Sequence, residues 1–148
     1  MPTTALDRIR DGLAAAADGS AVAVGWATVD LDRAAAELAG ALGLTPDVFV
    51  PADDSIVLGA ACRVAAGVLP DGRSLAILEP ITEGRLAGAL ARLSEGPAAV
   101  WMTRDSSPGT DASIARSGPF GPERLLSGGP LQGPYRLLIE TEAGTIPP

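Results

Sequence analysis

This sequence predicts an α+β fold of two βαβββ-type modules, the second shortened, behind an extra N-terminal helix. Three observations carry the prediction. One strand is written twice: Gly25-Trp26-Ala27-Thr28-Val29-Asp30 reads against Val100-Trp101-Met102-Thr103-Arg104-Asp105, with Trp, Thr and Asp in step. The copies lie half a chain apart, and internal repetition at a fixed spacing marks a duplicated structural unit. The first copy sits in an apolar run, residues 21–28, without polar alternation, the pattern of a strand buried on both faces. The elements after it run helix, strand, strand, strand and linking helix, and then a shorter version of the same order begins.

Thr3 and Thr4 can cap a helix over residues 5–17, with Leu6, Ile9 and Leu13 on one face. Asp18-Gly19-Ser20 ends it. After the strand 21–28, Asp30 caps a second helix over 31–42, closed by Gly43 and by Pro46 beyond it. Residues 48–50 read as a short strand and Pro51-Ala52-Asp53-Asp54 as a turn. Residues 56–58 and 61–69 read as strands, and Pro70-Asp71-Gly72 is a hairpin signal before a return strand over 74–78. A helix follows over 82–93, with Leu86, Leu90 and Leu93 on one side, and then the second Trp strand over 98–103. Residues 110–117 suit a short helix, 118–133 read as a Gly/Pro-dense loop, and 135–141 form the last strand. The chain is expected to be one domain, 1–148: helix 1–20, first module 21–80, linking helix 81–97, second module 98–141 and an irregular tail 142–148.

Composition narrows the function classes. The net charge of −7 repels phosphate backbones and anionic membranes, so neither nucleic acid nor a membrane is an expected partner. There is no histidine, which removes the commonest metal ligand and the usual general base. The single Cys62 excludes an internal disulfide or a multi-Cys metal cluster and reads as a small buried residue. No segment reaches the roughly 20 apolar residues that span a bilayer, and Asp7, Arg8, Arg10 and Asp11 interrupt any signal-peptide pattern. A cytoplasmic location is expected. The bias towards Ala, Gly, Arg and Pro is associated with high-GC bacterial genes.

Several segments then carry a resemblance. Thr28-Val29-Asp30-Leu31-Asp32 at the first strand–helix junction, Leu78-Glu79-Pro80 at the end of the fourth strand, Ser94-Glu95-Gly96-Pro97 before the second module and Leu137-Leu138-Ile139-Glu140 at the close occur in that order. Together with the repeat, the chain resembles the vicinal-oxygen-chelate superfamily: glyoxalase I, methylmalonyl-CoA epimerase, extradiol dioxygenases and bleomycin-resistance proteins. The epimerase-like branch is the nearest in flavour. The resemblance implies a mixed sheet cupped around a pocket, with a divalent metal held by two His and two Glu or Gln. Matched residue by residue, those positions hold Ala23, Ala76, Ala98 or Ala99, and Glu140. Alanine ligates nothing, and catalytic metal sites need about three protein ligands. The resemblance therefore implies the fold without the metal, and no cofactor is expected.

Glu140 is the candidate catalytic residue. Alternation puts it on one face with Arg136 and Leu138; if that face lines the cup, apolar surroundings raise its pKa and suit it to proton transfer. Pairing with Arg136 or solvent is the plainer reading. Trp26, Trp101 and Tyr135 are candidate ligand-binding aromatics, with core filling as the alternative for both Trp residues. Arg63 and Arg136 are candidate anchors for an anionic group, against simple exposure. Glu79 is expected to point away from the cup, and Glu123 and Arg124 to lie on the surface. Ser nucleophile chemistry lacks its His base, and Ser127-Gly128-Gly129-Pro130 lacks the context of a phosphate loop.

These readings add up to a metal-independent protein acting on a small, largely apolar organic molecule, for example an isomerase or cyclase of bacterial secondary metabolism using a pocket carboxylate. The alternative is a non-catalytic, resistance-type protein that binds an antibiotic or metabolite; a degenerate contact domain is the third. A shortened second module leaves strand edges uncovered, so a homodimer is expected.

Overall fold

The computed structural model describes residues 21–69, 72–93, 95–103, 116–129 and 133–139. The expected N-terminal helix, the short helix over 110–117 save its last two residues, Glu140 and the tail lie outside them. Strand β1 (Ala21–Ala27) leads into helix α1 (Leu31–Ala41). A 3₁₀ turn at Pro46–Val48 precedes β2 (Val50–Ser55), β3 (Ala60–Ala65) and β4 (Ser74–Pro80). Helix α2 (Arg85–Leu93) links to β5 (Gly96–Thr103), and β6 (Glu123–Gly129) and β7 (Gly133–Ile139) are the last described elements. The fold is α+β, as the sequence predicts. Among the described residues no helix is long and apolar enough to cross a membrane.

The described strands join one seven-stranded sheet in the order β2-β3-β4-β1-β5-β7-β6. β1 pairs with β4 in parallel and β5 pairs with β7 in parallel, while β1 and β5 meet antiparallel at the centre. The order therefore reads the same outward from the centre in both directions for three strands. Only β2 has no counterpart strand among the described residues, so the second module is the shortened one.

The Trp repeat does not survive as a pair of equivalent positions. Gly25 lies opposite Ala99 but Trp26 lies opposite Pro97, so Ala98 is an extra residue on β5. Such a bulge shifts everything beyond it by one, and a one-residue slip moves a side chain to the other face. Trp26 consequently packs with Val24, Leu75, Ile77, Val100 and Met102 under α1. Trp101 lies on the opposite face with Ala23, Ala27, Ala76, Leu78 and Leu137.

Helix α1 covers the first of these faces with Ala34, Ala35, Leu38 and Ala39. Its start is over-determined. Asp30 caps it by accepting from Arg33 N at 3.1 Å, and Glu79 Oε1 accepts from Leu31 N at 3.0 Å. Glu95 Oε2 accepts from Val29 N at 3.0 Å and from Arg33 Nη2 at 2.6 Å, and that ion pair holds its carboxyl below the usual range. Three acidic groups thus meet the positive end of the helix dipole. Glu79 points away from the cup, as expected, because the helix start uses it.

Two local expectations are overturned. Pro51-Ala52-Asp53-Asp54 is not a turn but most of β2, and residues 56–58 form the turn instead. β2 is an edge strand, where a missing N–H and exposed carboxylates face solvent and cost little. The Gly/Pro-dense stretch 118–133 holds β6, whose Leu125 pairs with Leu137 and whose Glu123 pairs with Ile139.

The sheet curls until its two edges meet. Ser55 Oγ, at the end of β2, donates to Glu123 Oε2 of β6 at 2.6 Å. Between them runs Arg116-Ser117: Arg116 and Glu123 exchange backbone hydrogen bonds of 2.8 Å each, and Ile56 N donates to Ser117 O at 3.1 Å. This fragment stands where the missing strand would be, so part of the edge expected to be bare is covered from within.

Candidate functional site

The concave side of the sheet is floored by small residues. Ala23, Gly25 and Ala27 of β1, Ala76 of β4 and Ala99 of β5 share it, and each of these alanines is buried. Above this floor lies the indole of Trp101, fully buried. A Cβ at Gly25 would stand 2.7 Å from Trp101 Cζ3, 2.8 Å from Cη2 and 2.9 Å from Leu78 Cδ1. Glycine at that position is what lets the ring lie on the strand.

The indole Nε1 donates to Glu123 Oε1 at 2.8 Å, and Ser55 Oγ donates to the other oxygen. Ser55 is itself positioned by Leu58 N, which donates to its Oγ at 3.2 Å. Glu123 has no solvent exposure, which corrects the expectation of a surface residue. Burial pushes its carboxyl above the ordinary glutamate range, and the hydrogen bonds from Ser55 and Trp101 only partly oppose this. Burial thus favours the protonated acid more than in an ordinary glutamate, and groups perturbed in this way concentrate at functional sites. The signal for it was present: Glu123 and Leu125 alternate in phase, and Leu125 borders the same core.

Cys62 lies on this side too, its thiol pushed up to about 12 mainly by burial. It stays protonated at neutral pH and is no nucleophile. Tyr135 is buried here, and its hydroxyl donates to Arg85 O at 3.2 Å, tying α2 to the floor. The turn 118–121 closes the site from outside. Phe120 stands edge-on to Trp101, with ring centroids 5.0 Å apart at 66°. Gly118 lies directly against the Glu123 carboxyl, where a Cβ would collide with it.

The structure therefore brings Trp101 and Tyr135 to the cup side. Trp26, Arg63 and Arg136 lie on the α1 side: Arg63 pairs with Asp32 at 2.6 Å, and Arg136 Nη1 reaches Met102 Sδ at 3.9 Å. On β7 it is Tyr135, Leu137 and Ile139 that line the cup, and Arg136 and Leu138 face the other way. Glu140 lies outside the described residues.

The expected metal-ligand positions can be tested against this geometry. Ala23, Ala76, Ala98 and Ala99 all belong to the cup-side cluster, so the matched positions converge on one space and present methyl groups to it. Among the described residues no group of three or more His, Cys, Asp or Glu is placed to hold a metal ion. These residues do not fit a divalent metal.

No protein-family model matches the chain, and no curated protein matches it. Solved structures do. Methylmalonyl-CoA epimerase from Mycobacterium tuberculosis is similar at a TM-score of 0.61 and 15% identity, over 99% of this chain and 97% of its own. A variant of the Streptomyces coelicolor epimerase in complex with 2-nitronate-propionyl-CoA gives 0.57 and 19%, over 80% and 94%. A hypothetical protein from Bacillus halodurans gives 0.60 and 15%, over 82% and 93%. The fold is the vicinal-oxygen-chelate fold that the sequence motifs resemble.

Proposed function

We propose that this chain, a vicinal-oxygen-chelate fold with alanine at its metal-ligand positions, is a metal-independent protein that takes a small, largely apolar organic molecule on its cup side. The carrying observation is Glu123. A carboxyl with no solvent exposure, met by two side-chain donors, costs folding free energy, and groups perturbed in this way concentrate at functional sites. The solved epimerases bind CoA esters; the net charge of −7 here favours a neutral ligand over a polyanionic one.

On the enzyme reading the protein is an isomerase or cyclase of bacterial secondary metabolism, and Glu123 moves the proton. In its protonated form Oε2 carries the hydrogen and donates to Ser55 Oγ, which turns from donor to acceptor, and Trp101 Nε1 fixes Oε1. Ser55 can yield because its hydroxyl rotates, which frees one carboxyl oxygen for a substrate. Glu140 is the second carboxyl to test. The resistance-type binding reading is favoured by one specific observation: both oxygens of Glu123 are already engaged, which suits an anchor better than a shuttle.

The test is a ligand-observed magnetic-resonance screen of neutral organic molecules at pH 5 and pH 8, with wild type, Glu123→Gln and Glu140→Gln. A cup ligand should be weakened in Glu123→Gln. Where turnover is found, it should fall by roughly 10²–10⁴-fold in the variant of the residue that carries the proton. Ligands that bind Glu123→Gln as well as wild type at both pH values would remove Glu123 from the site. Metal independence fails if purified protein carries one equivalent of Zn, Ni, Co, Mn or Fe per chain. The homodimer fails if light scattering at tens of micromolar gives a monomer.

A further inference from the structure

We propose that the turn 118–121 is a displaceable lid, and that Phe120 occupies the place on Trp101 that a planar unsaturated ring of the ligand takes. This rests on the reading of the cup as the ligand site and adds the ligand's class and its way in. The cup side is filled in this structure: its floor residues, Trp101 and Glu123 are all buried. A ligand must therefore displace something, and one short turn covers both functional groups at once. Phe120 covers the indole edge-on, and Gly118 covers the carboxyl.

The turn is built to leave as a unit. It is closed on itself by Gly121 N donating to Gly118 O at 3.2 Å, and Gly121 sits at φ +113, in the region that favours glycine. The firm attachments lie on either side of it, where Arg116 and Glu123 exchange backbone hydrogen bonds and Ile56 holds Ser117. Phe120 is only half-buried, whereas the groups beneath it have no exposure, so lifting it uncovers far more than it exposes. What fits the uncovered place is a ring that meets the indole as Phe120 does, since aromatic pairs favour edge-to-face or offset contact. Beside it, a hydroxyl or N–H on that ring would reach a carboxyl oxygen. The ligand class is thus a planar aromatic or conjugated molecule carrying one neutral hydrogen-bond donor.

The probe is 2-naphthol, compared with its saturated analogue decahydro-2-naphthol, titrated against wild type, Phe120→Ala, Phe120→Leu and Glu123→Gln. Saturable binding is read by ligand-observed magnetic resonance. Wild type should bind 2-naphthol at least tenfold more tightly than the saturated analogue. Phe120→Ala should tighten 2-naphthol by roughly 2- to 13-fold, the equivalent of one aromatic pair that no longer has to be broken, and Phe120→Leu should tighten it less. No saturable binding of 2-naphthol to wild type or to Phe120→Ala, equal affinity for the saturated analogue, or weaker binding to Phe120→Ala each overturns the proposal. The two readings separate cleanly. A ligand lost in Glu123→Gln but indifferent to both Phe120 variants overturns the lid and keeps the cup. Binding of 2-naphthol that Phe120→Ala tightens and Glu123→Gln leaves alone keeps the lid and removes the carboxyl.

Discussion

Gly25→Ala is the sharpest test of the packing on which the site depends. The added methyl would stand 2.7–2.9 Å from three carbon atoms, two on Trp101 and one on Leu78. Relief is blocked on each side. β1 is the central strand, paired to β4 and β5, so its backbone cannot retreat. The indole is pinned by its hydrogen bond to Glu123 and by the edge contact with Phe120. Overpacking of a well-filled core costs about 1–3 kcal/mol. If the ring moves far enough to release Glu123, a buried donor and acceptor are left unsatisfied, which costs about 1–3 kcal/mol as well. The lower chain entropy of alanine returns roughly 0.5–1 kcal/mol. With the ring displaced the expected net loss is about 1–5 kcal/mol, read as a lower urea midpoint at unchanged slope. Trp101→Phe in the same chain removes the obstructing ring, so the double variant should lose less than the two single losses added together. An unchanged midpoint in Gly25→Ala, or strict additivity in the double variant, would refute the placement of the indole over β1.

Glu123 should leave a mark on stability against pH. Its folded-state pKa is raised, so the native state holds the proton more tightly than the unfolded chain does. Its contribution is fully present below the unfolded glutamate value of about 4.3 and is lost as pH rises through the folded value. Glu123→Gln should flatten that decline, as followed by urea midpoints from pH 4 to pH 8; the same decline in both proteins would contradict the shift. Ser55→Ala strips hydrogen bonds from Glu123 and Leu58 N and should cost about 1–3 kcal/mol, measured by the same titration. Asp30→Ala removes the α1 cap and should cost about 0.5–2 kcal/mol, with a cost of nothing arguing that Glu79 and Glu95 suffice. Native Cys62 should resist thiol reagents at neutral pH until the protein is unfolded.

The sequence made the sheet legible and the site only partly so. The buried runs of β1 and β5 and the cap at Asp30 are strong local signals, and they suffice to lay out the two modules. The alanines at the matched ligand positions also lie together on the cup side, which the family resemblance implied. Two kinds of information were hidden. The phase of β5 depends on the bulge at Ala98, and no residue type announces a bulge. The identical Trp residues therefore read as equivalents although they face opposite ways. Glu123 was hidden because Gly and Pro around it mask a strand, and because the partner that buries it is far away in sequence. Arg63 and Arg136 carry no sign of their face until the register is known, and their contacts with Asp32 and Met102 fix it on the α1 side.

An ordinary open sheet frays from its outer strands, because their backbone groups have a neighbour on one side only. Here the outer strands meet through Ser55 and Glu123, which are 68 residues apart in the chain. Such a closure cannot form until both modules have folded, so chain topology assigns it to the last steps of folding. Once made, it ties the opening of one rim to the opening of the other. Amide hydrogens of β2 and β6 should then exchange as one cooperative group, and cutting the clasp with Ser55→Ala should release both together.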